Sequence, residues 1–155
     1  MKIKLLIIGK TNEKYLAEGI SVYASRLSHY LPFEIEIIPE TKGKQDISVQ
    51  KEKEGEQILK RIKQGEHLVL LDEKGKMMTS VQFSNYIGQK MNTGNKALVF
   101  VIGGAFGFSE KVYRAANDAI SLSSMTFSHQ MVRLIFTEQL YRAMTILKNE
   151  PYHHV

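Results

Sequence analysis

The chain has 155 residues, no cysteine, 21 lysines and arginines against 16 carboxylates, and a formal net charge of +5. That length suits a single domain over residues 1–155 that buries its own core, and the lack of thiols excludes a disulfide framework and a thiolate metal site. No signal peptide opens the chain, and its longest apolar-rich stretch, residues 131–147, is interrupted by Arg133, Glu138 and Arg142, so a soluble cytoplasmic protein with no membrane span is expected.

Residues 2–8 read as a strand ending at Gly9. Residues 15–28 read as a helix, with Leu16, Ile20, Tyr23 and Leu27 on one face. Phe33-Glu34-Ile35-Glu36-Ile37 alternates strictly, as a strand with one wet face does. A polar, lysine-rich loop leads to a helix over 49–62, ended by Gly65. Residues 67–71 form a buried strand, followed by the charged loop Asp72-Glu73-Lys74-Gly75-Lys76. Thr79 and Gln82 have capping-box spacing for a helix running to Met91. The basic balance favours an anionic partner such as RNA. Alternation such as Lys51-Glu52-Lys53-Glu54 also marks a solvated helix face.

The run Val99-Phe100-Val101-Ile102 then meets three glycines in five positions, Gly103, Gly104 and Gly107. Ser109 and Glu110 suit the start of a helix over 109–117. A strand that delivers a glycine loop to a helix N-terminus is how α/β proteins build nucleotide pockets. The spelling is neither the dinucleotide Gly-x-Gly-x-x-Gly nor the Walker pattern, which weakens NAD and ATP as ligands. A short strand over 119–122, a loop over 123–128 and a long helix from His129 to about Lys148 follow. Strands and helices alternate throughout, which predicts a three-layer α/β domain with a mostly parallel sheet. The last helix is apolar on more than one face, so a second subunit is expected to cover what the sheet does not, giving a homodimer.

Three segments are more specific together than alone: Leu70-Leu71-Asp72-Glu73-Lys74-Gly75-Lys76, Val101-Ile102-Gly103-Gly104-Ala105-Phe106-Gly107, and Ser121-Leu122-Ser123-Ser124-Met125-Thr126-Phe127-Ser128-His129-Gln130-Met131-Val132-Arg133. With Glu138-Gln139-Leu140-Tyr141-Arg142-Ala143 and the tail Pro151-Tyr152-His153-His154, they closely resemble the SPOUT methyltransferases, and among these the small enzymes of ribosomal RNA. Ile7-Ile8-Gly9-Lys10 and residues 53–59 fit the same family, so the likeness covers essentially the whole chain.

The resemblance implies a SPOUT-type α/β knot, in which the C-terminal part of the sheet is tied into a deep trefoil whose crossing loops hold S-adenosylmethionine. It implies a homodimer that methylates N3 of a pseudouridine in helix 69 of 23S ribosomal RNA, pseudouridine 1915, on the assembled ribosome. Mapped residue by residue, the cofactor contacts fall on Leu71, on Gly103, where a side chain would obstruct the ligand, and on Leu122, Ser123, Ser124, Met125, Thr126 and Phe127. The resemblance also implies a C-terminal tail that enters the partner's site and touches RNA. His154 stands where family members often have arginine, which weakens a phosphate-gripping role there.

Methyl transfer from a sulfonium needs alignment and a group that helps N3 lose its proton, by taking it or by stabilising the anion; no metal is required. Candidates are Arg142 and Glu138, four apart on an apolar helix, with His129, Tyr152 and His154; His129 and Arg133 are also four apart and share a helix face in this reading. The rival functions are a SPOUT enzyme of another RNA such as transfer RNA, and a non-catalytic nucleotide-binding module.

Overall fold

Strands and helices alternate strictly along residues 1–154, which the computed structural model describes. They are β1 (Lys2–Ile8), α1 (Lys14–Leu27), β2 (Phe33–Ile38), α2 (Ile47–Lys60), β3 (Glu66–Met77), α3 (Ser80–Met91), β4 (Ala97–Ile102), α4 (Glu110–Ala115), β5 (Asp118–Ser121) and α5 (Met131–Leu147). The sheet order is β2-β1-β4-β3-β5. Every pairing is parallel, where the sequence suggested only a mostly parallel sheet.

β4 is buried at all six positions, as a central parallel strand covered on both faces must be, and this is why it reads as an unbroken apolar run. Edge strand β2 does not alternate in burial as its sequence suggested: residues 33–36 are half-buried, Ile37 is exposed and Ile38 buried, and its glutamates are paired, Glu34 with Lys2 at 2.8 Å and Glu36 with Arg61 at 2.6 Å. Steps toward the β2 edge carry α1 and α3; steps the other way carry α2 and α4. The first pair, with α5, buries Phe83, Phe100 and Phe136 on one face, and the second buries Ile58, Val99 and Val112 on the other. One handedness of crossover produces this division.

α5 lies between α1 and α3. Glycines allow the close approach: a Cβ on Gly19 would come within 3.0 Å of Leu134, and one on Gly88 within 3.1 Å of Leu147. Much of the apolar surface that suggested a second subunit is therefore covered within the chain. Ile135 and Ile146 stay half-buried on either side of Glu138 and Arg142.

Several boundaries differ from the sequence reading. The charged run 72–76 is not a loop after β3 but part of it. The strand leaves register after Leu71 and rejoins at Lys76, both opposite Ile120. Gly75 permits this, because a Cβ there would lie 2.5 Å from the Ile120 backbone nitrogen. α4 is shorter than expected, six residues behind its Ser109 cap. β5 ends at Ser121, leaving Leu122 in the following loop. α5 begins at Met131 with Gln130 as its N-cap and no side-chain cap, and in the turn ahead of it Ser128 Oγ accepts from the Met131 N–H at 3.1 Å. His129 therefore lies in the turn that leads into the helix rather than at the helix start. The Thr79–Gln82 capping box forms as read.

Candidate active site

Because every strand runs the same way, the loops after β1, β3, β4 and β5 meet at one edge of the sheet, where α/β proteins bind ligands. A cleft of about 410 Å³ opens there, between the β3 bulge, the glycine turn after β4 and the loop after β5. Leu71, Gly103, Leu122, Ser123, Met125, Thr126 and Phe127 all line it; Ser124 does not. Ser124 points to solvent because its neighbour holds the loop. Ser123 Oγ accepts from the Met125 N–H at 3.0 Å, and the Ser121 hydroxyl donates to the Ser123 carbonyl at 2.9 Å.

The glycine turn is closed by the Gly107 N–H donating to the Gly104 carbonyl at 3.2 Å, with Gly107 at φ +84°. A Cβ on Gly103 would meet the Phe108 ring at 3.1 Å, so a side chain there would push on the turn itself. A Cβ on Gly104 would lie 2.7 Å from Glu54 Oε1. Glu54 is 6% exposed and accepts from Gln50 Nε2 at 3.2 Å. Burial pushes its carboxyl up; the Gln50 bond opposes this, Glu40 adds to it and His129 opposes it. The alternation that suggested a solvated face thus contains a buried acid under the glycine turn, and Lys51 from the same run lines the cleft.

Asp72 and Tyr113 form another wall. Asp72 Oδ2 is shut off from solvent without a protein partner. The Tyr113 hydroxyl is pushed up to about 12, by burial first and then by the Asp72 charge. A hydrogen bond to Asp72 raises the phenol further, so the two side chains are coupled across the cleft wall. Leu71, Leu122 and Phe127 give the cleft apolar walls with polar groups at the rim, the make-up of a small-ligand site. Among the described residues no group of three His, Asp or Glu side chains is placed to hold a metal ion, and no helix is long and apolar enough to cross a membrane.

The far end of the loop after β5 is latched to β1. Asn12 N–H donates to Gln130 Oε1 at 2.9 Å, and Gln130 Nε2 donates to the Lys10 carbonyl at 3.2 Å. Arg133, 1% exposed, donates to the Ile8 carbonyl at 2.7 Å and to Thr11 Oγ1 at 3.1 Å. Its Nε has no partner, and burial pulls its pKa down against the Glu40 charge. In the sequence Arg133 carried no role beyond a pairing with His129; the structure makes it the anchor of α5.

Of the candidate chemical groups, only His129 lines the cleft of its own chain. Glu138, Arg142 and Tyr152 form a separate cluster further along α5. Arg142 donates to Glu138 Oε1 from Nε at 3.1 Å and from Nη2 at 2.5 Å, and Tyr152 donates to the same oxygen at 2.9 Å. The Glu138 bonds raise the Arg142 pKa against partial desolvation, so it stays charged. Burial, then hydrogen bonds to Tyr23 and Glu138, raise the Tyr152 phenol. His153, not singled out in the sequence, meets Arg142 Nη1 at 3.1 Å, whereas His154 is exposed.

The order of these elements and the cleft at their carboxyl edge define a SPOUT methyltransferase. A family model described as "Predicted SPOUT methyltransferase" matches residues 1–153, and the chain belongs to that family and is an enzyme of methyl transfer. It is 63% identical to the ribosomal RNA large subunit methyltransferase H of Parabacteroides distasonis, with 99% of each chain covered. Proteins of the same name from Christiangramia forsetii and Phocaeicola vulgatus are 60% and 57% identical, again over 99% of both chains.

Proposed function

We propose that this protein methylates N3 of pseudouridine 1915 in helix 69 of 23S ribosomal RNA, with S-adenosylmethionine as donor, as a cytoplasmic homodimer acting on the assembled ribosome. The observation that carries the reading is the convergence of the β3, β4 and β5 loops on one cleft, in a chain whose full-length relatives are named for the large ribosomal subunit. The cofactor supplies the activated methyl group. Leu71, Leu122 and Phe127 cover the faces of an adenine, and backbone groups of residues 122–127 meet its edges. The knot that the family resemblance implies ties these loops together.

The Glu138–Arg142–Tyr152 cluster lies off the cleft of its own chain, so the reading requires a partner whose cluster faces that cleft. This gives the dimer a chemical reason. Arg142 is then the cation that stabilises N3 as it loses its proton. Glu138 already receives three hydrogen bonds on one oxygen, so it orients Arg142 and Tyr152 rather than taking the proton.

The test is methylation of ribosomes purified from a strain lacking this enzyme, followed by mass mapping of helix 69. One added methyl on the pseudouridine fragment is expected. Methyl incorporation into another RNA, such as transfer RNA, or none, would overturn the assignment.

A further inference from the structure

The turn between β4 and α4 holds up an aromatic side chain with no partner of its own. Phe106 is 49% exposed, and among the described residues its ring packs on no other ring. The turn beneath it is fixed. Gly104 and Gly107 are bridged across it, and Phe108, 4% exposed, packs with Ile58 and Val112 under α2 and α4. A single exposed phenyl is ordinary on a protein surface. This one has company, because the exposed side chains of Tyr113 and Met125 line the same cleft.

Charge accompanies the ring. The lining carboxylates, Asp72 and Glu73, belong to the β3 bulge, as does Lys74. Lys51 of α2 is the one lining lysine or arginine outside that bulge, and among the described residues it forms no ion pair. A flat ring beside a free ammonium group is the make-up of a single-stranded nucleic-acid contact, in which bases stack and phosphates are neutralised. The side of the cleft matters as well. Arg142 and Tyr152 go with α5, on the face that α1 and α3 also cover, whereas the turn of Phe106 packs with α2 and α4 on the opposite face. A partner that brings its α5 cluster to the cleft therefore occupies one rim and leaves the other for RNA.

We propose that Phe106 stacks on a nucleobase flanking the target in the ribosomal substrate, with Lys51 on the adjoining phosphate. This rests on the function proposed above. The reacting base must pass the rim to enter the cleft, so a ring on the rim stands level with its neighbours. The methyl donor is a poorer occupant for this ring, because Leu71, Leu122 and Phe127, all less exposed than Phe106, already supply apolar walls.

The test compares wild type with Phe106→Ala, Phe106→Leu, Phe106→Tyr and Lys51→Gln. Ribosome binding is measured by sedimentation without methyl donor, and single-turnover methylation is measured against ribosome concentration at low and moderate salt. For Phe106→Ala the half-saturating ribosome concentration should rise about tenfold with the salt slope unchanged, because a stacked ring carries no charge. Phe106→Leu, apolar but not flat, should behave like Phe106→Ala, and Phe106→Tyr like wild type. Lys51→Gln should lower the salt slope by about one. The saturating rate should stay within about twofold in every variant, since the contact is made before and during the reaction alike. S-adenosylmethionine affinity and mass by light scattering should not change. Wild-type half-saturation in Phe106→Ala would overturn the stacking, and an unchanged slope in Lys51→Gln would overturn the phosphate contact. Loss of S-adenosylmethionine affinity in Phe106→Ala would overturn the stacking by assigning the ring to the methyl donor. A changed mass would do so by assigning it to subunit association, and a fall in the saturating rate alone by assigning it to the target base. Wild-type protein that binds ribosomes but leaves them unmethylated would sink the proposed reaction, and the sedimentation comparison would then decide the contact by itself.

Discussion

The Tyr152 hydroxyl donates to Glu138 at 2.9 Å, tying the end of the chain to the middle of the helix it has just left. The Tyr152 ring stands edge-on to Tyr141 at 4.8 Å, and His153 meets Arg142. The tail is thus ordered by its own chain before any partner or RNA arrives. Ordering that precedes binding lowers the entropic cost of forming a site.

Deleting residues 152–155, of which Val155 lies outside the described residues, removes the Tyr152 contacts with Tyr141, Arg142 and Glu138 and the His153 contact with Arg142, and no core side chain among the described residues. The fold should survive, as circular dichroism would show, and S-adenosylmethionine affinity should stay within severalfold. Single-turnover methylation of ribosomes should fall at least about a hundredfold, roughly 2.7 kcal/mol in the barrier. A near-wild-type rate would remove the tail from the mechanism.

Arg142→Ala should reduce the saturating rate by a similar order, about a hundredfold, because a cation beside a forming anion acts mainly in the transition state. Glu138→Gln should also be slow, since it releases Arg142. The double variant should be little worse than Arg142→Ala alone, because Glu138 works through Arg142. Additive losses in that double-mutant cycle would instead give Glu138 a separate role.

Gly104→Ala should cost about 1–3 kcal/mol in urea unfolding, the usual range for forcing an atom into a filled space. It should also weaken cofactor binding, because the displaced turn borders the cleft. Combining it with Glu54→Ala, which removes the carboxylate 2.7 Å from the new methyl, should recover part of both losses. No recovery would mean that the turn fails for another reason.

Burial holds the Glu54 carboxyl above its unfolded pKa, so the folded chain keeps that proton to higher pH than the unfolded one. Its contribution to stability is full below the unfolded value and declines as pH rises through the folded one. Glu54→Gln should therefore gain stability relative to wild type between acid and neutral pH. Parallel urea-unfolding curves for the two proteins across that range would contradict the assignment.

Arg133→Ala leaves the Ile8 carbonyl without its donor and opens a cavity at the base of α5. A loss of about 2–4 kcal/mol is expected, together with weaker cofactor binding as residues 122–130 lose their anchor. Full stability in the variant would show that Gln130 alone suffices as the latch.

The layers and most of the cleft were legible in the sequence because both rest on local signals. Apolar runs marked β1 and β4, the Thr79–Gln82 spacing marked α3, and glycines with a serine cap marked the turn after β4. What was misread depended on distant neighbours. Glu54 looked solvated because alternation with lysine is a surface pattern, and only the approach of Gly104 buries it. Residues 72–76 looked like a loop because they are charged, yet Gly75 lets them press on β5. His129 read as the first residue of the last helix, but the helix begins two residues later, at Met131, and His129 sits in the turn ahead of it. Tyr23 read as part of one apolar helix face, and only α5 brings the Tyr141 ring to within 5.8 Å of it. His153 carries no local signal; Arg142 alone gives it a partner.

The strand order sets a timetable for synthesis. β1 can pair with β2 as soon as the first 38 residues exist, but its other edge waits for β4, whose first paired residue, Ala97, lies about 95 residues behind Lys2. At roughly 5–20 residues per second, that edge stays open for about 5–20 s while the chain is made. The Arg133 bond to the Ile8 carbonyl spans 125 positions, so the latch closes after every strand is in place. Contacts this long-range make folding slow. A chain truncated ahead of α5 would carry all five strands yet lack the Phe136 and Leu140 part of one core face and leave the carboxyl end of β1 unsealed.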